Sequence, residues 1–227
     1  MNALDVVPVA LLGGIAGLDT VSFPQAMISR PLVSATLGAA LVGAPMQGLL
    51  LGAILELIAL ETLPVGASRY PEWGSASVVA GAIYGRTGAG VIGAVMVAVL
   101  GALLFAWFGG WSMVAMRRRN AVVARRRRAA LEAGSRGAVL DVQLSGLTSD
   151  FVRAVLVSAA AYLVLVPAER LVLLHWTLGE RLSRAELVAT AASVALGAAW
   201  KLFHSTAGAR WFFFGGLGIG LLVLGMR

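Results

Sequence analysis

The chain has 227 residues, of which 59% are hydrophobic and only 13% are charged, and its mean hydropathy is +0.87. This balance excludes an ordinary soluble domain, in which about 25% of residues carry charge. The absence of cysteine excludes a disulfide framework and a thiolate metal site. Because apolar stretches recur along the whole length, we predict an all-α polytopic membrane protein. It should have roughly six to eight membrane-embedded helical segments, including broken or re-entrant ones.

The first apolar segment ends in a polar stretch. Residues 6–18 are apolar, Asp19 follows directly, and Gln25 comes next to Pro24 a few residues later. Polar side chains beside a break in a helix can bind a solute or can cap the helix end. Both roles stay open for Asp19 and Gln25.

Residues 29–77 contain two short apolar runs, residues 32–43 and 48–60, of 12 and 13 residues. Each run is too short to cross a bilayer core as a straight helix, which needs about 20 residues. Pro45 lies between them, and Glu56 lies inside the second run. Membrane transporters place solute sites where broken apolar segments surround a buried charge, so we expect the site here.

Three residues of the second run are spaced by four, so they share one face of a helix. They are Gly48, Gly52 and Glu56. The first two form a GxxxG pattern, which allows another helix to approach closely. This face should meet protein, because a carboxylate that faces lipid is very costly.

A basic segment follows the longest apolar run. Residues 88–116 can span a membrane with tilt, and eight of the 18 basic residues then fall between residues 117 and 136. Such a cluster indicates the cytoplasmic side and contact with anionic headgroups. A nucleic-acid patch is the alternative, and its position beside a membrane helix argues against it. We therefore divide the chain into an N-terminal membrane region (1–116), a basic cytoplasmic loop (117–148) and a C-terminal membrane region (149–227).

The C-terminal region is again apolar and interrupted, with Pro167 between its first two segments. The histidines, His175 and His204, lie far apart in sequence and give no metal-ligand spacing, so no metal site is expected. The apolar segments are residues 151–166, 169–178, 186–203 and 211–226.

Three short motifs occur in order in the N-terminal third of the chain. They are Arg-Pro-Leu-Val at residues 30–33, the GxxxG pattern that leads into Leu-Glu-Leu-Ile-Ala-Leu at residues 48–60, and Pro-Val-Gly-Ala at residues 64–67. Gly-Leu-Asp-Thr at residues 17–20 and Gln25 precede them. In this order and spacing, the motifs resemble those of the IIC subunit of the mannose/fructose/sorbose family of the bacterial phosphotransferase system (PTS).

The resemblance implies a subunit that recognises a sugar and carries it across the inner membrane of the cell in a phosphoenolpyruvate-dependent PTS. It implies a IID membrane subunit and cytoplasmic IIA and IIB phosphocarriers as partners, an oligomeric assembly and an elevator-like movement. The IIB partner is expected to phosphorylate the sugar. The chain itself is then not an enzyme, needs no cofactor and has no nucleic-acid partner.

Four polar residues are the candidate ligands of a hexose-like sugar, because a carboxylate or an amide can bond to neighbouring sugar hydroxyls. Each has a structural alternative. Glu56 can bond to the backbone or to an arginine, Asp19 and Gln25 can cap a helix, and Glu72 can end a loop. The candidates are Glu56, Asp19, Gln25 and Glu72.

Five further residues are expected to support the site. Arg30 can pair with Glu56 or Glu72, or it can extend to the membrane interface. The family usually has Pro-Asp where this chain has Pro71-Glu72, and Glu61 stands where members often have a small residue. These departures leave the identity of the sugar open. The supporting residues are Arg30, Pro31, Gly48, Gly52 and Gly66.

Two functions from other classes also fit the sequence. One is a PTS-independent carrier of a small solute, and the other is a transport-inactive membrane scaffold or sensor whose arginine loop docks a cytoplasmic protein. Dependence on phosphoenolpyruvate separates the PTS subunit from the carrier, and binding without uptake would favour the scaffold. The sequence contains no GxxxxGK[ST] nucleotide-binding motif.

Overall fold

The computed structural model describes residues 3–60, 69–87, 91–203 and 207–225. Within these ranges the chain is all-helical, as predicted, with nine helices and no strand. Two of the helices are long and apolar enough to cross a membrane, and three shorter apolar helices accompany them. In chain order the helices are α1 (Ala3–Asp19), α2 (Pro31–Ala40), α3 (Pro45–Ala59), α4 (Trp73–Thr87), α5 (Ile92–Arg126), α6 (Arg128–Glu132), α7 (Arg136–Leu174), α8 (Glu180–Phe203) and α9 (Ala209–Gly225).

Helix α4 forms the core of the molecule. Every residue from Trp73 to Gly85 is buried, and helices α1, α2, α3, α5 and α7 pack around it. Most residues of α4 are Gly, Ala or Ser, so neighbouring backbones can come close. At Gly74, an added Cβ would lie 2.5 Å from the carbonyl oxygen of Ala16 in α1. This close packing brings the ends of several helices together where α4 begins.

Helices α2 and α3 form the short hairpin that the two apolar runs predict. Each begins at a proline, Pro31 and Pro45, which suits the first helical position because proline lacks an amide hydrogen. Gly43, in the turn between them, has a φ of +78°, a conformation that favours glycine. A Cβ on Gly52 would lie 2.9 Å from both Leu32 Cα and Pro31 O, so the two helices touch along the glycine face.

Helices α5 and α7 extend well beyond the segments that the hydropathy suggests. They contain 35 and 39 residues, which corresponds to roughly 50 and 60 Å at about 1.5 Å per residue. Residues 117–148, predicted as a hydrophilic loop, are therefore mostly helical. Their alanine, leucine and arginine residues favour helix, and the Ser135 side chain caps α7 by accepting a hydrogen bond from the Ala138 amide at 3.4 Å. Helix α7 also continues through Pro167.

Helices α8 and α9 form a hairpin at the side of the molecule. Helix α8 contacts α3 and α5, whereas α9 packs on α8 alone within the described part of the chain. Aromatic rings join the two helices, with the Trp200 ring 5.7 Å from the rings of Phe213 and Phe214. Much of this hairpin is exposed in the isolated chain.

Candidate functional site

The loop between α1 and α2 is held by one buried carboxylate. Asp19 is almost fully buried at the end of α1. Its Oδ1 accepts a hydrogen bond from the Ala26 amide at 2.6 Å, and its Oδ2 accepts one from the Ser29 amide at 2.8 Å. Gln25 is exposed with a φ of +59°, and its side-chain amide donates to the Val21 carbonyl at 2.9 Å. Both of the polar side chains predicted here therefore bond to their own loop.

Arg30 and Glu56 form an ion pair between the start of α2 and α3. The Arg30 Nη2 donates to Glu56 Oε1, and the amide of Leu32 donates to Glu56 Oε2 at 3.2 Å. The pair is partly accessible to solvent, since the side chains of Arg30 and Glu56 are 30% and 21% exposed. A bond to an arginine is one of the structural alternatives to direct sugar contact that the sequence offers for Glu56.

A narrow cleft lies where the α1–α2 loop meets the segment before α4. Its volume is about 50 Å³, which is small beside the roughly 300–1,000 Å³ of a typical ligand pocket. A sugar can therefore enter only after the neighbouring elements separate. The lining residues are Thr20, Ser29, Arg30, Pro31, Ala59, Tyr70, Pro71 and Trp73.

Glu72 is fully buried directly behind the cleft wall, at the start of α4. Its Oε1 accepts a hydrogen bond from the Ser75 amide at 3.0 Å, and its Oε2 accepts from the Ser75 hydroxyl at 2.6 Å. Arg153 of α7 donates to Oε2 at 3.3 Å. Glu72 therefore caps α4 and pairs with a cation across the bundle.

Arg153 connects Glu72 to the loop after α1. Its guanidinium bonds to Asp150 Oδ1 at 2.9 and 3.1 Å, and it also reaches the Ser112 hydroxyl of α5 at 3.1 Å. The Ser22 hydroxyl donates to Asp150 Oδ2 at 2.6 Å. Two buried carboxylates thus share one arginine, and the group they form, called the buried charge network below, joins α4, α5, α7 and the α1–α2 loop.

The buried charge network lies beside the apolar part of α5. The Glu72 amide donates to the Ala106 carbonyl of α5 at 2.8 Å, and Arg153 donates to the Gly109 carbonyl at 3.4 Å. Both carbonyls belong to the apolar stretch of α5 that precedes Arg117. Charged residues within membrane segments commonly mark solute pathways.

The sequence reasoning missed three members of this network, namely Ser22, Asp150 and Arg153. The available signal was the spacing of Asp150 and Arg153, three apart at the start of the apolar run 151–166. Charged residues in such a run usually face the interior of a helix bundle and pair with each other.

Some of the sequence-based expectations fall outside the described residues or outside the site. Gly66, Glu61 and His204 lie in segments that the structure does not describe. His175 follows α7, where it is exposed and its ring bonds to the Leu171 carbonyl. Among the described residues, no group of acidic or histidine side chains could hold a metal ion.

The long helices α5 and α7, together with the short helices α2 and α3, define a helical membrane protein built in part on broken helices. The family model described as "PTS system sorbose-specific iic component" matches residues 3–214. The chain therefore belongs to the sorbose-type IIC family of the PTS, and the resemblance seen in its N-terminal third extends over nearly its whole length.

Two solved structures share the fold. One, titled "Structure of membrane protein", has a TM-score of 0.71 and 19% identity, and the alignment covers all of this chain and 92% of the other. The other is a cryo-EM structure of the mannose transporter ManYZ in complex with microcin E492, with a TM-score of 0.62, 20% identity and the same coverage. No curated protein sequence matches the chain. These likenesses confirm the prediction of an all-α polytopic membrane fold.

Proposed function

We propose that this chain recognises and translocates the sugar in a phosphoenolpyruvate-dependent PTS of the mannose/fructose/sorbose type. In this proposal it works with a IID membrane subunit, and cytoplasmic IIA and IIB proteins deliver the phosphoryl group to the sugar. The observation that carries the proposal is the cleft beside the buried charge network, in a chain of the IIC family.

The sugar is proposed to bind in the cleft. Ser29, Thr20 and Arg30 offer hydroxyl and guanidinium groups at its rim, and Tyr70 and Trp73 offer aromatic surface that can cover the apolar face of a hexose. A hexose needs more room than the closed cleft provides. The α2–α3 hairpin and the start of α4 must therefore separate to admit it, as part of an elevator-like movement.

The four predicted sugar-binding residues have different roles in this proposal, and only some of them contact the bound sugar directly. Glu56 is the first choice for a direct contact, because it is partly exposed and can exchange its bond to Leu32 for a sugar hydroxyl. Asp19 and Glu72 are proposed to shape the site through the loop and helix ends that they bond. Gln25 is proposed to contact the sugar as it enters, since its side chain is exposed.

The orientation in the membrane follows from the charge distribution. Arginines crowd the C-terminal end of α5, and such a cluster stays on the cytoplasmic side. We propose that this end faces the cytoplasm of the cell, where the IIB protein docks, and that the protein resides in the inner membrane.

Phosphoenolpyruvate-dependent uptake tests this function. Vesicles that contain the chain and its membrane partner, loaded with the cytoplasmic phosphocarriers and phosphoenolpyruvate, are offered a panel of radiolabelled hexoses and related sugars. We expect one class of sugar to accumulate as its phosphate, and only when phosphoenolpyruvate is present. Equal uptake without phosphoenolpyruvate would identify an independent carrier, and sugar binding with no uptake would identify a scaffold or sensor.

A pair of variants links the uptake to the site. Glu56→Gln removes the charge that holds Arg30, and uptake should fall roughly tenfold, as is typical when one charged hydrogen bond is lost. Asp5→Asn weakens the ion pair with Arg86 at the start of α1, at the other end of that helix from the cleft, and should leave uptake nearly unchanged, because exposed pairs contribute little.

A further inference from the structure

Two neighbouring spaces in the molecule share one wall. Tyr70 and Pro71 line the cleft that is proposed to bind the sugar, and both residues also line a neighbouring recess of about 320 Å³. The recess is lined as well by Arg69 and Trp107, which are exposed, so it reaches the surface of the chain. Ligand pockets commonly measure about 300–1,000 Å³. The recess therefore has room for a small ligand, whereas the closed cleft does not.

The backbone of the shared wall is held against α5. The Glu72 amide donates to the Ala106 carbonyl at 2.8 Å. A Cβ added to Gly110 would overlap the carbonyl oxygen of Tyr70, so the two backbones touch there. Pro71, between Tyr70 and Glu72, has its φ fixed by the pyrrolidine ring. The side chain of Tyr70 is therefore the part of this wall that can rotate while the backbone stays in place.

Arg117 holds that side chain. The Tyr70 side chain is almost fully buried, and its hydroxyl accepts a hydrogen bond from Arg117 Nη2. The guanidinium carbon of Arg117 also lies 5.2 Å from the centre of the Tyr70 ring, within the roughly 6 Å over which a cation is attracted to an aromatic face. One arginine thus contacts both the hydroxyl and the face of the ring.

The Tyr70 side chain extends towards the arginine-rich end of α5. Its carbonyl lies against Gly110, whereas its hydroxyl bonds to Arg117, seven positions nearer to the C-terminal end of the helix. The α2–α3 hairpin contributes Pro31 and Ala59 to the cleft, and neither residue lines the recess. The cleft is therefore bounded by a hairpin on one side and by a segment held to α5 on another.

We propose that Tyr70 is a gate between the sugar cleft and the recess, and that Arg117 keeps this gate closed. The inference rests on the proposed function and adds a second opening to the same site. Separation of the α2–α3 hairpin admits the sugar, and rotation of the Tyr70 side chain lets it leave through the recess, towards the arginine-rich end of α5. Arg69 and Trp107 then offer the departing sugar a hydrogen-bond donor and an aromatic face.

The accessibility of a single cysteine tests the gate without any sugar. The chain contains no cysteine, so Thr20→Cys places one thiol on the cleft wall. Vesicles that carry this variant receive a membrane-impermeant thiosulfonate on one side at a time. Gln143→Cys, exposed in the hydrophilic part of α7, is labelled in separate vesicles and reports which side carries the arginine-rich end.

Opening of the gate should speed the labelling of position 20 from the side that labels position 143. With Arg117→Gln the rate should rise about tenfold, as is typical when one charged hydrogen bond is lost. Tyr70→Phe should give a smaller rise, because its ring still lies beside the guanidinium. Arg117→Lys should restore slow labelling, since an ammonium group can donate the same bond. Arg118→Gln, at the next and exposed position, is the matched control and should change nothing.

Three results would overturn the gate. Rates that respond neither to Arg117→Gln nor to Tyr70→Phe would show that this contact does not close the cleft. Faster labelling only from the opposite side would show that the cleft opens elsewhere. An equal rise with Arg118→Gln would indicate a general effect of the lost charge. Monodisperse elution in detergent checks that each variant is folded, and Tyr70→Phe, the smallest change, tests the gate even where an arginine variant fails this check.

The outcome can be distinguished from failure of the proposed function, because the labelling needs neither sugar nor phosphoenolpyruvate. If uptake requires phosphoenolpyruvate but labelling ignores Tyr70 and Arg117, the function stands and the gate is wrong. If labelling responds as expected but uptake ignores phosphoenolpyruvate, the gate stands and the PTS function is wrong.

Discussion

Arg153 is the residue on which the buried charge network depends. It pairs with two carboxylates, Glu72 and Asp150, that are both fully buried. A buried carboxylate without a partner is strongly destabilising, whereas a neutral side chain that keeps its hydrogen bonds is tolerated better. The network therefore fixes the helix ends behind the cleft only while its arginine is present.

Arg153→Gln should destabilise the protein by about 3–5 kcal/mol, because it leaves Glu72 and Asp150 buried without a cation. Glu72→Gln should cost less, since Arg153 retains Asp150 and the amide still bonds to Ser75. Thermal unfolding in detergent, followed by size-exclusion fluorescence, measures the difference. Equal melting temperatures for the two variants would show that Arg153 does not hold the network together.

At the residue scale, the sequence predicts pairs between residues that are close along the chain better than pairs between distant residues. The pairing of Arg30 with Glu56 is one of the alternatives that the sequence leaves open. Asp19 does not cap a helix as the alternative had it, because it bonds to the loop amides of Ala26 and Ser29. The contact between Glu72 and Arg153 joins residues 81 positions apart. A single sequence carries no signal for such a pairing, because it depends on how α4 and α7 pack.

At the scale of the helices, the short hairpin depends on close backbone contact. Gly52 of α3 faces the first turn of α2, where Pro31 and Leu32 begin the helix. The glycines at this contact let the backbones approach, and the approach brings Arg30 and Glu56 together. The packing of the hairpin and the geometry of the ion pair are therefore linked.

Gly52→Ala should lower the melting temperature, because the new methyl group would lie 2.9 Å from backbone atoms of α2 that cannot move independently. Overpacking of this kind costs about 1–3 kcal/mol. Gly218→Ala is the matched control, since a Cβ there meets nothing within 4 Å. The control should be neutral or slightly stabilising because alanine favours helix. A Gly52→Ala protein as stable as the control would mean that the hairpin can relax.

Element types were predictable from the sequence, but the limits of the long helices were not. The two short apolar runs, with their proline starts, became α2 and α3. Residues 117–148 looked like a loop because they are hydrophilic. Hydrophilicity marks exposure to water and does not exclude helix, and here α5 and α7 continue out of the apolar zone as helix.

At the scale of the whole molecule, composition alone identified a polytopic membrane protein. The cleft, the Arg30–Glu56 pair and the buried charge network lie where α4 begins, and α1, α2, α3, α5 and α7 surround that helix. A movement that separates the α2–α3 hairpin from α4 would open the cleft and shift one wall of the site. The cleft could not be predicted from hydropathy, because it depends on packing between distant segments.

The central claim is that the sugar binds in this cleft, and protection of a single cysteine tests it most directly. The chain contains no cysteine, so Thr20→Cys places one thiol on the cleft wall and Gln143→Cys places one on an exposed helix face away from it. Labelling with a small, membrane-permeant thiosulfonate is followed with and without a saturating concentration of the transported sugar. We expect the sugar to slow labelling at position 20 severalfold and to leave position 143 unchanged. Equal labelling rates at position 20 with and without sugar would contradict the account.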